Sequence, residues 1–262
     1  MKKPVAVFTI VKNEKYFMPI WYKYYTRYFP KEDIYILDHQ TTDGSLLNID
    51  CNIIPVSHDK AFDAIWLMNT VNNFQKELLK KYEYVIFAEA DEILITLENP
   101  NHDLRQHVED MKLNGKNFDV AFSWQLQHNN IYEGDYDPTI PILQQRRTWA
   151  REMAFDKTLI SAVPLDWDIG FHDTKYRRQQ DYFDGKNKIH PNKNLILLHL
   201  HHLDYQIFMK RKLNFSNYNL ADQLHPGDAF QQRLKTKKEL RDFFHQYEDL
   251  LVEIPHDFPI VI

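Results

Sequence analysis

The sequence predicts an α/β protein: a mixed, mainly parallel sheet flanked by helices, followed by an irregular C-terminal half. Three observations predict it. Short β-branched runs, of the kind buried on both faces of a parallel sheet, alternate with segments whose apolar residues recur at helical spacing. Each of the clearest runs is followed at once by a polar cluster. A length of 262 residues with 44% hydrophobic and 26% charged residues is enough to bury one large core.

The elements follow in order. Val5 to Val11 (VAVFTIV) reads as a strand buried on both faces, and Lys12, Asn13 and Glu14 follow it. The next segment, KYFMPIWYKYYTRYF, is an aromatic helix: Phe17, Ile20, Trp21, Tyr24, Tyr25 and Tyr28 share one face, and Pro30 closes it. Ile34 to Leu37 is a second strand. Asp38 to Ser45 (DHQTTDGS) is a polar loop with Gly44 as its turn residue. Asn52 to Val56 is a third strand, placed at an edge because Pro55 has no N–H for a ladder. From Ala61 to Tyr82 the residues Phe62, Trp66, Thr70, Phe74 and Leu78 keep helical spacing, and Tyr84 to Phe87 is a fourth strand. Such an order is the mark of a Rossmann-like sheet with crossover helices.

Asp119 to Trp124 is a further strand; residues 125 to 195 then lose regularity and predict loops, a hairpin and a short helix. Asn194 to Leu198 is the last strand, followed by His199, His201 and His202 and a helix running to about Asn217. Residues 234 to 251 make a final amphipathic helix. The division is therefore 1–125, 126–217 as the second half of the same domain, and a helical extension over 218–262.

Composition excludes several functions. A net charge of -5 argues against a protein that wraps nucleic acid. The basic runs Lys210 to Lys212 and Lys235 to Lys238 read as solvated helix faces or as a local contact for phosphate or anionic lipid. One cysteine, Cys51, rules out an intramolecular disulfide and a Cys-rich zinc site. No leader and no apolar run of spanning length is read, so the expected location is the cytoplasm, with at most peripheral contact at the inner face of a membrane. Patterns GxSxG, GxxxxGK[ST] and GxGxxG are absent, which disfavours acyl transfer, P-loop hydrolysis and dinucleotide chemistry.

Ligands of open α/β sheets bind beyond the carboxyl ends of the strands. Lys12 to Glu14, Asp38 to Asp43 and Glu89 to Glu92 all follow predicted strands, so they should meet on one edge. In Tyr84 to Ile95 (YVIFAEADEILI), Glu89 and Asp91 stand at alternate positions and face the same way if the segment is extended. Two such carboxylates suit a hard divalent cation, Mn²⁺ or Mg²⁺, with positions left for phosphates; the bland alternative is a solvated strand end.

These motifs together resemble those of glycosyltransferases of the GT-A fold, in particular a bacterial family-2-like group. The resemblance covers residues 1–95 and rests on Val11-Lys12-Asn13-Glu14, on Asp38-His39-Gln40-Thr41-Thr42-Asp43-Gly44-Ser45, which is similar to a D-N-x-S-x-D-G loop, and on Glu89-Ala90-Asp91-Glu92, which is similar to DxDE. His39 and Thr41 depart from that loop, and Glu89 is one methylene longer than the usual first Asp. The resemblance implies a nucleotide-sugar donor held by Thr9, Val11, Lys12, Asn13, Glu14, Asp38, Asp43, Glu89 and Ala90. It makes Asp91 the safer metal ligand, with Glu89 acting directly or through water. A late histidine near metal or diphosphate is also implied; His172, which follows Lys157 as in the related pattern, and the alternating pair His199 and His201 are the candidates.

An inverting reaction needs a base for the acceptor hydroxyl. Asp166, Asp168, Glu152 and Asp135 are candidates among which sequence does not choose. Arg146, Arg147 and Arg151 would serve as an anion clamp or a solvated loop, and Trp124 and Trp167 as sugar platforms or core. The expected partners are a nucleotide sugar and a carbohydrate or glycolipid acceptor. The alternatives are a non-catalytic carbohydrate- or nucleotide-binding protein on the same fold, and a metal-dependent nucleotidyltransferase or phosphohydrolase.

Overall fold

The computed structural model describes residues 1–178, 181, 184–186, 189–215, 218–221, 230–259 and 262. As the sequence predicts, the architecture is mixed α/β, with one large sheet flanked by helices. Its first four strands are parallel: β1 (Lys3–Val11), β2 (Ile34–His39), β3 (Asn52–Val56) and β4 (Tyr82–Phe87), in the spatial order β4-β1-β2-β3. Pro55 lies on β3 at the edge of the sheet. Between these strands, α1 (Met18–Tyr25) is shorter than the aromatic segment predicts, with Pro19 in its first turn and Trp21, Tyr24 and Tyr25 buried. Helix α2 (Ala64–Lys81) is capped by the Asp63 carboxylate, which accepts from the Trp66 N–H.

The second half joins the same sheet largely by antiparallel pairing. β5 (Glu92–Thr96) leaves β4 after a tight turn, and α3 (Leu104–Leu113) leads into β6 (Phe118–Gln127). β6 pairs antiparallel with β7 (Thr148–Arg151) and β8 (Thr158–Ser161), and parallel with β9 (Asn192–His202), while β9 also pairs antiparallel with β5. β8 closes onto β4, so both halves share one core. The last strand, β10 (Leu251–Glu253), adds to β7.

Two differences from the predicted elements have physical reasons. β9 runs to His202, so the histidines stand within the strand and not after it; pairing with β5 and β6 on either side carries it past the apolar run. The C-terminal segment is a helix only over Lys237–Phe244, opened by a Thr236–Glu239 capping box, before it turns into a short 3₁₀ segment and β10. The helix after β9 spans Tyr205–Phe215; the end predicted for it, residues 216 and 217, lies outside the described residues. Two buried amides on α2 hold the segment after β8 in place. Asn72 pairs twice with the Trp167 backbone at 2.8 Å, and Gln75 donates to Ser161 Oγ and accepts from Leu165 N–H.

Candidate functional site

The carboxyl ends of β1, β2 and β4 open on the same edge of the sheet, as their parallel register requires. The β4 end carries the acidic motif, but the chain there is not extended. Glu92 N–H donates to the Glu89 carbonyl at 3.0 Å, closing a turn that sends neighbouring carboxylates in different directions. Glu89 and Glu92 both meet the Lys157 ammonium, at 2.5 and 2.6 Å. Asp91 faces the other way: its Oδ2 accepts from Arg211 at 3.0 Å, and its Oδ1 lies 3.8 Å from His199 Nε2. The alternate-position geometry inferred for Glu89 and Asp91 is corrected by this turn.

Asp91, His199 and His201 form the one group of potential metal ligands found among the described residues, with a ligand atom from each within 4.8 Å of the others. The strand period explains the pair of histidines, since positions two apart on β9 share a face. Backbone pairing brings Asp91 to them: Leu200 N–H donates to the Asp91 carbonyl at 2.7 Å. All three are buried, at 5%, 8% and 4% exposure, and His199 Nδ1 and His201 Nε2 have no hydrogen-bond partner. Buried polar atoms without partners are costly, so the cluster fits a cation that would satisfy His201 Nε2; His199 turns Nε2, and not its unpartnered Nδ1, toward Asp91. Burial pushes the His201 imidazole well below its ordinary value and keeps it neutral, the form that ligates. Burial pushes Asp91 up, but Arg211, His199 and Lys157 together hold it well below the usual carboxylate range.

His172 stands beside this cluster and not in it. Its ring stacks on Phe155, which packs edge-on against His199 with centroids 5.2 Å apart. Burial first, then Lys157 and His199, push it well below its ordinary value. Gly170 allows this approach: at φ +81° and with His172 against it, a Cβ there would come within 3.1 Å of the imidazole ring.

Glu14, at the end of β1, accepts from Arg211 Nη2 at 2.6 Å and Nε at 3.1 Å, so one guanidinium joins the first motif to the third. Burial pushes Glu14 up to about 7, with Arg211 opposing the shift and the neighbouring Asp91 charge adding to it. The rest of the donor set implied by the resemblance lies in two loops tied to each other. Asn13, at φ +59°, accepts from Thr42 N–H and donates to the Tyr218 hydroxyl; Lys12 donates to the His39 carbonyl; Val11 O accepts from Thr41 Oγ1. Asp38 accepts from Thr41 N–H at 2.8 Å, and Asp43 from the N–H groups of Lys15 and Ser45 and from the Ser45 hydroxyl. Thr9 Oγ1 is buried without a partner, and Ala90 is buried in the β4–β5 turn.

Other candidates go elsewhere. Asp166 pairs with Lys76 and Lys175, Asp168 with Arg178, and Glu152 caps a 3₁₀ turn at Ala154 N–H. Arg146 donates to the Leu203 and Gln145 carbonyls and Asp204, Arg147 to the Leu143 and Ile254 carbonyls, and Arg151 to Ser123 O and Asp156. They brace loops and form no anion clamp. Trp167 is 2% exposed and packs on Phe87, so it is core; Trp124 stacks on Trp149 at 4.5 Å.

Arg211 and Lys212 are the residues that the reading of a solvated basic run missed. Phe208, Arg211, Lys212 and Phe215 keep the i, i+3, i+4, i+7 spacing of one face, so two cations stand in an apolar stripe. That was the available signal. Lys212 is 1% exposed among the rings of Phe208, Phe215 and Phe243, and burial pushes its ammonium well below its ordinary value.

No family model matches the chain, and no curated protein matches it. Among solved structures it is similar to a mannosyltransferase from Pyrobaculum calidifontis in complex with GDP-Man and Mn²⁺, at 17% identity and a TM-score of 0.29 over 49% of this chain and 36% of that one. It is also similar to mannose-1-phosphate geranyltransferase from Thermus thermophilus, at 10% identity and a TM-score of 0.34 over 82% and 62%. A CMP:2-keto-3-deoxy-manno-octonic acid synthetase complexed with CTP matches at 7% identity and a TM-score of 0.33 over 96% and 88%. The chain thus spans about a third of the first of these proteins and under two thirds of the second. What the fold and the site define is an α/β protein with a buried carboxylate–imidazole cluster at the carboxyl edge of its sheet.

Proposed function

We propose that the chain is a metal-dependent glycosyltransferase that moves a sugar from a nucleotide-sugar donor to a carbohydrate, lipid-linked or protein acceptor. Residues 1–125 would form the donor half and residues 126–217 the acceptor half. The observation that carries this reading is the Asp91–His199–His201 cluster, set at the edge where ligands of such sheets bind and joined to Glu14 through Arg211. The three residues would hold a divalent cation, whose charge would stabilise a diphosphate leaving group as the glycosidic bond breaks. Arg211 fixes the Asp91 carboxylate, Lys157 restrains Glu89 and Glu92, and the strand-end loops from Thr9 to Glu14 and Asp38 to Gly44 would receive base and ribose. No helix among the described residues is long and apolar enough to cross a membrane.

The test is a thermal-shift screen of UDP, GDP, CMP and dTDP, each with and without a divalent cation, since a ligand that binds only the folded state raises the melting temperature. One nucleotide is expected to stabilise the chain only with metal, and Asp91→Asn is expected to abolish that shift. If no nucleotide does so, the transferase reading falls. A second reading, a nucleotidyltransferase or phosphohydrolase, is favoured by the ligand set itself, because one carboxylate with two imidazoles also suits activation of a water. Cleavage of the diphosphate bridge of a nucleotide sugar by water, giving nucleoside monophosphate and sugar 1-phosphate with no free or transferred sugar, would select it. A purely binding protein would show the shift and no turnover of donor.

A further inference from the structure

We infer that the Asp91–His199–His201 cluster is built for a borderline transition-metal ion of the Zn²⁺ or Co²⁺ type in preference to Mg²⁺. The inference rests on the metal reading above and narrows it, because the sequence pointed to a hard cation held by alternating carboxylates. Four carboxylates stand near the cluster, and most of their oxygens are already engaged. Glu14 Oε1 takes two donors of Arg211. Glu89 Oε2 and Glu92 Oε1 share the Lys157 ammonium, and Glu92 Oε2 accepts from Glu89 N–H at 2.9 Å. Asp91 Oδ2 is held by Arg211. Among the described residues, the one carboxylate within 4.0 Å of either cluster imidazole is that of Asp91, through Oδ1.

The donor set is therefore one oxygen and two nitrogens. Mg²⁺ demands near-octahedral oxygen coordination, while imidazole suits Zn²⁺, Fe²⁺, Co²⁺ and their neighbours. Spacing agrees with a small, low-coordinate ion. His199 Nε2 and Asp91 Oδ1 are 3.8 Å apart, close to the roughly 3.4 Å between two ligands that each lie about 2.1 Å from a tetrahedral ion. The rings have fixed orientations: Phe155 lies edge-on to His199, and Phe208 and Phe243 flank His201 with centroids 5.6 and 6.0 Å away. These walls bring no further oxygen to the site.

The experiment strips the full chain with chelator and titrates Mg²⁺, Mn²⁺, Co²⁺ and Zn²⁺ by calorimetry, with the visible spectrum of the Co²⁺ form as a second readout. Co²⁺ is expected to bind at least about a thousandfold more tightly than Mg²⁺ and to show the intense visible bands of a low-coordinate, nitrogen-ligated ion. His199→Asp, which exchanges a nitrogen for an oxygen, is expected to narrow the Co²⁺-to-Mg²⁺ ratio at least about tenfold. Comparable Mg²⁺ and Co²⁺ affinities, an unchanged ratio in H199D, or the faint spectrum of six-coordinate Co²⁺ in the unmodified chain would each overturn the inference. In those cases the metal reading survives provided Asp91→Asn abolishes binding. If D91N binds cations as the unmodified chain does, the ions lie elsewhere among the thirteen histidines, and both readings fail. The spectrum needs no variant, so the test stands even where H199D does not fold.

Discussion

Two polar strand ends on the same edge of the sheet treat their carboxylates in opposite ways. In the loop after β2, Asp38 and Asp43 accept from backbone N–H groups at Thr41, Lys15 and Ser45, so the loop closes on itself and on the neighbouring end of β1. In the turn after β4, Glu89, Asp91 and Glu92 are held by side chains from far along the chain, Lys157 and Arg211. A carboxylate held by local amides shapes backbone and costs little to bury. A carboxylate held by a distant cation ties two halves of the molecule together, and removing that cation leaves a buried charge exposed to none of its former compensation.

The largest expected effect follows from that difference. Lys157→Met leaves Glu92, 1% exposed, without its ammonium, and Glu89 with it. Burial pushes Glu89 up even with Lys157 present, while the two glutamates outweigh burial at Lys157 and hold its ammonium above the ordinary range. Loss of about 3 kcal/mol in urea unfolding is expected, at the low end for a broken buried pair because Glu89 is partly solvated. A loss below about 1 kcal/mol would mean that the β4–β5 turn is as self-sufficient as the β2 loop.

A second prediction reads the boundary between the two regions by pH. His39 ends β2 and lies on the Trp66 ring, with centroids 4.5 Å apart. Burial, then Lys12 and His58, lower it from 6.5 to about 4. The unfolded chain therefore takes up a proton near pH 6.5 that the folded chain refuses until about pH 4. Stability from neutral His39 is complete above pH 6.5 and is lost as pH falls toward 4, by up to about 3 kcal/mol. His39→Asn is expected to flatten the pH dependence of unfolding by about one proton in that window. An unchanged slope would place the acid sensitivity on His201 and His202 of β9, which burial also keeps neutral.

These contrasts explain what was legible in the sequence. Strands β1, β2 and β4 each carry their own apolar signal, and the loops between them are built from adjacent residues, so the parallel half and its converging polar ends could be read. The second half pairs across long separations. β8 is four residues within an irregular stretch, and its strand character comes from β4 and β6. Helix α3 was overlooked although it was readable: Asp103 caps it, and Leu104, Val108 and Met111 keep helical spacing. At the site, Asp91 could be proposed from its place after a buried strand, and the histidines from the resemblance, with alternation putting His199 and His201 on one face. Their relation to Arg211 and Lys157 could not, because no local pattern says which cation a carboxylate 120 or 65 residues away will meet.

The smallest expected effect makes the sharpest test of the contrast. Asp43→Ala removes the acceptor for the exposed Lys15 N–H and for the N–H and hydroxyl of the buried Ser45. The Lys15 amide can hydrate at once and the Ser45 groups through the space the carboxylate leaves at the loop surface, so the cost is that of an ordinary hydrogen bond or two, about 1 kcal/mol. Metal affinity in the absence of nucleotide is expected to stay within about twofold, since the hydrogen bonds of Asp43 go to Lys15 and Ser45, it stands outside the Asp91–His199–His201 group, and its charge is screened by solvent. A tenfold fall in metal affinity would instead show that the β2 loop and the β4–β5 turn behave as one site, coupled through Asn13, Glu14 and Arg211. The division between locally and remotely held carboxylates would then describe how the two loops are built, while their affinities would be set together.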